Sequence, residues 1–147
     1  MSDLFKIFLT SSLTVVGGVL VLVVGRIIEK FLIEPVHEQS NVIGEIADSL
    51  IFYANLYSNP GVGKPEEMDE ASRALRQQAS RLMARTHAVR CYWLMQLLRI
   101  VPKHRDTLRA RENLMGLSNS IHRDDPRLPE VNNARRKQIE ESLHIRT

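Results

Sequence analysis

One cysteine among 147 residues leaves no internal disulfide to staple the chain. Metal-binding spacing is missing too: Cys91 stands alone, and His37, His87, His104, His122 and His144 are scattered, no two of them four apart on a helix. Seven Gly and six Pro are too few for a low-complexity chain. Gly61-Val62-Gly63-Lys64 lacks the further glycine spacing and the following Ser or Thr of a phosphate-binding loop. No serine or cysteine nucleophile motif is present. Cys91, beside Tyr92 and Trp93 in an apolar stretch, is expected to pack in a core. After Arg26 no stretch alternates with period two, which argues against a sheet. The length suits one ordinary domain and excludes a multi-domain enzyme. No metal or cofactor is expected.

Charge is missing where it matters most. From Ile7 to Gly25, 19 consecutive positions carry none. As a helix this run covers roughly 28 Å, close to the hydrocarbon thickness of a bilayer. In lipid every backbone polar group must be satisfied within the segment, so its Val and Gly residues do not prevent a helix. A cleaved signal peptide would have a shorter apolar core and a basic leader, whereas Lys6 here is offset by Asp3. The segment therefore reads as an uncleaved anchor. Arg26 and Lys30 follow it, which favours an N-terminus outside and a C-terminal domain in the cytoplasm. One face of the anchor is small: Ser11, Thr14, Gly18, Val21 and Gly25 are spaced 3, 4, 3 and 4. That spacing makes a left-handed seam along which membrane helices associate, and predicts a homo-oligomer.

The remainder predicts an all-α domain of four or five helices, with residues 1–37 as anchor and juxtamembrane extension and 38–147 as the cytosolic part. Arg26 to Leu32 continues the anchor, and Pro35 is expected to kink or end it. Val42, Ile43, Ile46, Leu50, Ala54 and Tyr57 form an apolar stripe stopped by Asn59-Pro60-Gly61. Pro65 opens a helix whose early acids, Glu66, Glu67, Asp69 and Glu70, suit the positive end of its dipole. Met68, Ala71, Leu75, Leu82 and Val89 are its expected core face. Trp93, Leu94, Leu97, Leu98 and Val101 follow, up to Pro102; then come Leu108, Met115 and Ile121, with Gly116 between them. A loop is expected from Asp124 to Pro129, then a short helix carrying Val131, Ile139 and Leu143, with Asn132 or Asn133 near its start.

Charge is also segregated. Arg26 to Glu70 has three basic residues against nine acids, whereas Ala71 to Arg111 has ten basic residues against Asp106 alone. The two blocks can meet within a chain or between subunits. Alternatively the basic block, with Arg73, Arg76, Arg81, Arg85, Arg105 and Arg109 as its surface, meets an anionic partner such as RNA or lipid headgroups. Aromatic residues do not alternate with the arginines, which argues against a single-strand stacking platform.

One constellation could carry chemistry. Small helical ribonuclease domains of the HEPN type use an arginine and a histidine a few residues apart. The histidine moves a proton while the arginine steadies a phosphate. Arg99 and His104 have this separation, though Pro102 lies between them; Arg81 and His87 are slightly wider apart. Leu117-Ser118-Asn119-Ser120-Ile121-His122 has the pattern with Leu117 where the arginine would be. Arg99, His104 and His122 are thus the candidate catalytic residues.

Ile43-Gly44-Glu45-Ile46-Ala47, the stretch from Tyr53 to Gly61, Ala79-Ser80-Arg81-Leu82 and Gly116-Leu117-Ser118-Asn119-Ser120 resemble a group of small bacterial single-pass membrane proteins. The architecture and the His122 pattern are more distantly similar to the membrane accessory protein of type VI-B CRISPR systems. That resemblance implies a HEPN-like helical domain, assembly into a ring with a pore, and a role in antiviral defence beside an RNA-guided effector complex. The expected function is a self-associating membrane effector or pore-forming accessory. The alternatives are a membrane-tethered HEPN-like ribonuclease and an adaptor for a cytosolic partner or anionic lipid.

Overall fold

The structure, a computed structural model, describes residues 3–145, so the outermost ends of the expected 1–37 and 38–147 segments lie outside the described residues. The described residues are helical and contain no strand. Helix α1 spans Asp3–Ile28, and a π-helical turn, Glu29–Ile33, joins it to α2, Glu34–Phe52. Together they make one rod from Phe5 to Phe52, 48 residues long and apolar enough at its N-terminal end to cross a membrane.

Proline explains the π turn. Pro35 has no N–H for the carbonyl of Phe31, and its ring presses on that carbonyl. The chain widens by one residue just before it, with the Glu34 N–H on the Glu29 carbonyl, and the helix then resumes. The expected break at Pro35 is therefore a widened turn, and Pro35 occupies the first turn of α2, where its missing N–H costs little.

The short α3, Ala54–Ser58, follows α2; α4 is Pro65–Ala88, α5 Tyr92–Leu97, α6 His104–Ser120 and α7 Leu128–Leu143. Helix α4 packs on α2 and α6, and α6 packs on α7; α7 returns to α2 through a smaller contact. Each pair is antiparallel, as the side-chain bonds show. Gln39 meets Thr86 and Ser49 meets Gln78 between α2 and α4; Ser72 meets Ser118 between α4 and α6; Asn113 meets Gln138 between α6 and α7. The anchor end of the domain thus gathers the start of α2, residues 89–103, the start of α6 and the end of α7. At the far end Gly61 donates to the Ile121 carbonyl at 2.8 Å with φ +79, and a β-carbon there would meet Asp124 at 3.1 Å. Glycine alone fits that turn without strain.

A single core cluster joins Val42, Ile46, Leu50 and Tyr57 with Ala71, Leu75, Ala79, Leu82, Ala110, Leu114, Leu117, Ile121, Ile139 and Leu143. The α2 stripe and most of the α4 stripe lie in it as expected. Ile121 is buried as expected, but the rest of the α6 face is turned by about one residue: Thr107, Ala110, Leu114 and Leu117 are buried, while Leu108 and Met115 lie at its edge. Small residues win this face because α4 and α6 approach closely, near enough for the Ser72 and Ser118 hydroxyls to bond at 3.0 Å. In α7, which starts at Leu128 inside the expected loop, Val131 is exposed and Asn132 is wholly buried. Asn132 donates to the Tyr57 carbonyl and accepts from Ser120 and Arg135, tying α3, α6 and α7 together.

Candidate functional site

Along α1 no residue with a described side chain is buried. Its large apolar side chains, from Phe5 through Val24 to Ile28, face outward with no protein to cover them. The Thr10 and Thr14 hydroxyls bond to the carbonyls one turn back, at 2.9 Å each, so neither seeks water. Ser11, Thr14, Gly18, Val21 and Gly25 are all exposed, and a β-carbon on Gly18 or Gly25 would meet nothing within 4 Å. The small-residue face is thus open along its whole length.

The two charge blocks meet within the chain. Arg81 of α4 holds the Glu45 carboxylate through both of its terminal nitrogens, the second at 3.0 Å, and Arg85 reaches Glu38 at 2.6 Å. Both pairs clamp α4 to α2, so two of the six expected surface arginines are already engaged. Arg73 bonds the Asp69 carbonyl within its own helix, and Arg76 bonds Asn119 at 2.9 Å. Arg105 and Arg109 stay exposed on α6 and make no ion pair with a described residue.

The arginine–histidine candidates separate. Arg99 sits in the turn after α5 at φ 58, whereas His104 opens α6, so this pair does not share a helix. Leu117 is in the core, and His122 lies beyond the end of α6, its Nε2 3.3 Å from Asp69. Arg81 is held by Glu45, while His87 stacks edge-on with His104 at 5.8 Å. Cations gather instead in a groove between α4 and α6 lined by Arg76, Ser80, Met83, His87, Arg111 and Met115, with no carboxylate. No group of three metal-ligating side chains occurs among the described residues.

The anchor end holds a feature absent from the sequence expectations. Cys91 is exposed and left-handed at φ 51, not packed in the core. With Arg99 it brackets α5 between two non-glycine residues in a conformation that L side chains seldom adopt. Thus held, α5 buries none of its residues. Trp93 and Leu97 are each 70% exposed, and Leu98 and Ile100 more than half, although all but Ile100 are expected as core. Only Val101 of the expected stripe is buried. Gln39 of α2 reaches back to hold the segment, donating to Thr86 at 2.9 Å and Tyr92 at 3.3 Å, and Tyr92 donates to the Pro102 carbonyl. Burial pushes the Tyr92 phenol above its usual pKa, partly offset by hydrogen bonds with Gln39 and Thr107. The Arg90 guanidinium lies over the Phe31 ring of the π turn, 4.9 Å from its centroid. One sequence signal marked this stretch: from Trp93 to Ile100 the apolar residues spread over about 220° of a helix's circumference, wider than a single core stripe, with Gln96 and Arg99 on the remaining face.

No family model, no curated protein and no solved structure matches the chain.

Proposed function

We propose that the chain is a single-pass bacterial inner-membrane protein, its helical domain in the cytoplasm, that self-associates through its anchor and acts as a membrane effector. A pore-forming accessory role in antiviral, CRISPR-linked defence is the specific form that the sequence resemblance implies. One observation carries the reading: an apolar helix with no buried residue among those described runs without a break into the core of the helical domain. Such a surface has no stable place in water, and its open small-residue face is the kind along which membrane helices pair. The test is the mass of the detergent-extracted full-length protein, by light scattering with the detergent contribution removed. A discrete oligomer is expected. A monomer at all protein concentrations would overturn self-association and the pore with it.

A second reading, a tethered protein that takes RNA or another polyanion, is favoured by the carboxylate-free groove of Arg76, His87 and Arg111. Salt-sensitive RNA binding by the full-length protein, weakened by Arg76→Gln and Arg111→Gln, would support it. Cleavage lost in His104→Ala or His122→Ala would make it a ribonuclease.

A further inference from the structure

We propose that α5 and its flanking turns, residues 90–103, form a second membrane contact on the bilayer that the anchor crosses. Trp93, Leu97, Leu98 and Ile100 enter the boundary between headgroups and acyl chains, while Arg99 and Lys103 meet anionic lipid phosphates. The proposal rests on α1 as the anchor.

Depth is the first argument. The uncharged run ends at Gly25, and Phe31 lies six residues further on, about 9 Å along the helix axis. A core of about 30 Å in a bilayer of about 40–45 Å leaves about 5–7.5 Å of headgroup layer on each side, so Phe31 lies just above its outer edge. Arg90 stacks on the Phe31 ring, so residues 90 onward leave α4 at the outer edge of the headgroups. The antiparallel order of α2, α4 and α6 places the whole 89–103 connection at this end of the domain. Composition is the second argument. Four large apolar side chains stand exposed within eight residues, and one is the chain's single tryptophan. Tryptophan favours this depth because its ring is apolar and its N–H is wet.

Charge is the third. Arg90, Arg99 and Lys103 are exposed around the patch. Two of the nearby carboxylates are neutralised by Arg26 on Glu29 and Arg85 on Glu38; Glu34, half-buried Asp106 and, toward the end of α7, exposed Glu141 remain. Cations beside exposed aliphatic and aromatic side chains are the composition of elements that lie in an anionic interface. Helix α5 is also tethered from beneath by Gln39 and Tyr92, which leaves its outer face unpartnered.

Because Trp93 is the only tryptophan, it reports on α5 alone. Full-length protein is reconstituted in vesicles of phosphatidylcholine and phosphatidylglycerol, with or without bromine on the acyl chains. The expected result is a blue-shifted emission, most of which is lost to brominated chains and little to aqueous iodide. Arg99→Asn, which suits the left-handed position, and Lys103→Gln should each lower the docked-to-undocked ratio about five-fold. Alkaline extraction of the same vesicles reports on the anchor separately. Emission quenched by iodide and untouched by bromine, in a chain that resists extraction, would overturn the proposal while the anchor stands. A tryptophan shielded from both quenchers would overturn it as well, because a second protein copy would then cover α5. A chain released by extraction would remove the anchor reading and this one together.

Discussion

Leu117→Arg supplies the arginine that the HEPN pattern lacks, and the structure says that it will unfold the domain instead of arming it. Leu117 has no exposed surface and sits in the core with Leu75, Ala79, Leu114 and Ile121. Removing its side chain alone, as in Leu117→Ala, costs about 3 kcal/mol. An arginine there loses the same packing and adds an unpaired buried charge, a further ~3–5 kcal/mol. The sum is comparable with the whole stability of a domain, roughly 5–15 kcal/mol. For a domain of this size each kcal/mol is worth about 3–6 °C, so Leu117→Ala should melt about 9–18 °C early. Leu117→Met, which conserves volume, should stay within ~1.5 kcal/mol of the natural chain. The assay is a circular-dichroism melt of the detergent-extracted protein, with RNA cleavage measured on the same samples. A Leu117→Arg protein with full helical signal and an unchanged melt would refute the reasoning, since it would mean that position 117 faces solvent.

Three further outcomes follow from the same structure. The Arg81–Glu45 pair is intramolecular and about two-fifths exposed on each side, so Arg81→Glu should cost about 1 kcal/mol and the swap with Glu45→Arg should recover part of it; a change in oligomer mass in either protein would show that the charge blocks meet between subunits. Gly18→Leu meets nothing in its own chain, so the melt should hold while the oligomer dissociates; an unchanged mass would exclude the small-residue seam. Burial holds the Tyr57 phenol above its usual pKa, with Arg136 partly offsetting, and its hydroxyl donates to the Leu50 carbonyl at 2.6 Å. The folded chain therefore keeps this proton longer than the unfolded chain: its contribution is complete below about pH 10 and is lost as pH rises through the folded value. Tyr57→Phe should lose about 1 kcal/mol at neutral pH and flatten the alkaline fall, read from denaturant midpoints against pH; an equally steep fall would refute the assignment.

Where burial follows from a helical stripe of large apolar residues, it was legible in the sequence. Val42, Ile46, Leu50 and Tyr57, and Ala71, Leu75 and Leu82 opposite them, needed only the 3.6-residue period. Helix α6 was misread by about one residue because close approach to α4 selects small side chains, and Thr107, Ala110 and Ser118 give a weak hydropathy signal. Asn132 and Gln39 were invisible as buried groups, since their partners lie 75 and 47 residues away in the chain. The candidate site was legible in part. The charge blocks were evident, but that Arg81 and Arg85 turn inward on Glu45 and Glu38 depends on the register of α2 against α4. The exposure of α5 depends on two left-handed residues, Cys91 and Arg99, at which no glycine marks the turn.

The π turn has a consequence for how copies of the chain could sit together. Ser11, Thr14, Gly18, Val21 and Gly25 and the buried Gln39, Val42, Ile46 and Ser49 of α2 share one heptad phase. In a straight α-helix a heptad position lags about 20° per repeat, and four repeats separate Ser11 from Gln39. The single widened turn between them adds about one residue of lag, roughly 100°. Together these bring the small-residue stripe to the side of the rod facing away from the folded domain. Anchors meeting along that stripe would stand side by side at the axis of an assembly, with each domain hung on the outside where it obstructs no neighbour. Pro35→Ala, by letting Glu29–Ile33 rewind as α-helix at unchanged length, would remove that lag and swing the domains by about 100° toward that axis, and crowding there, not any lost contact in the membrane, would limit the number of copies.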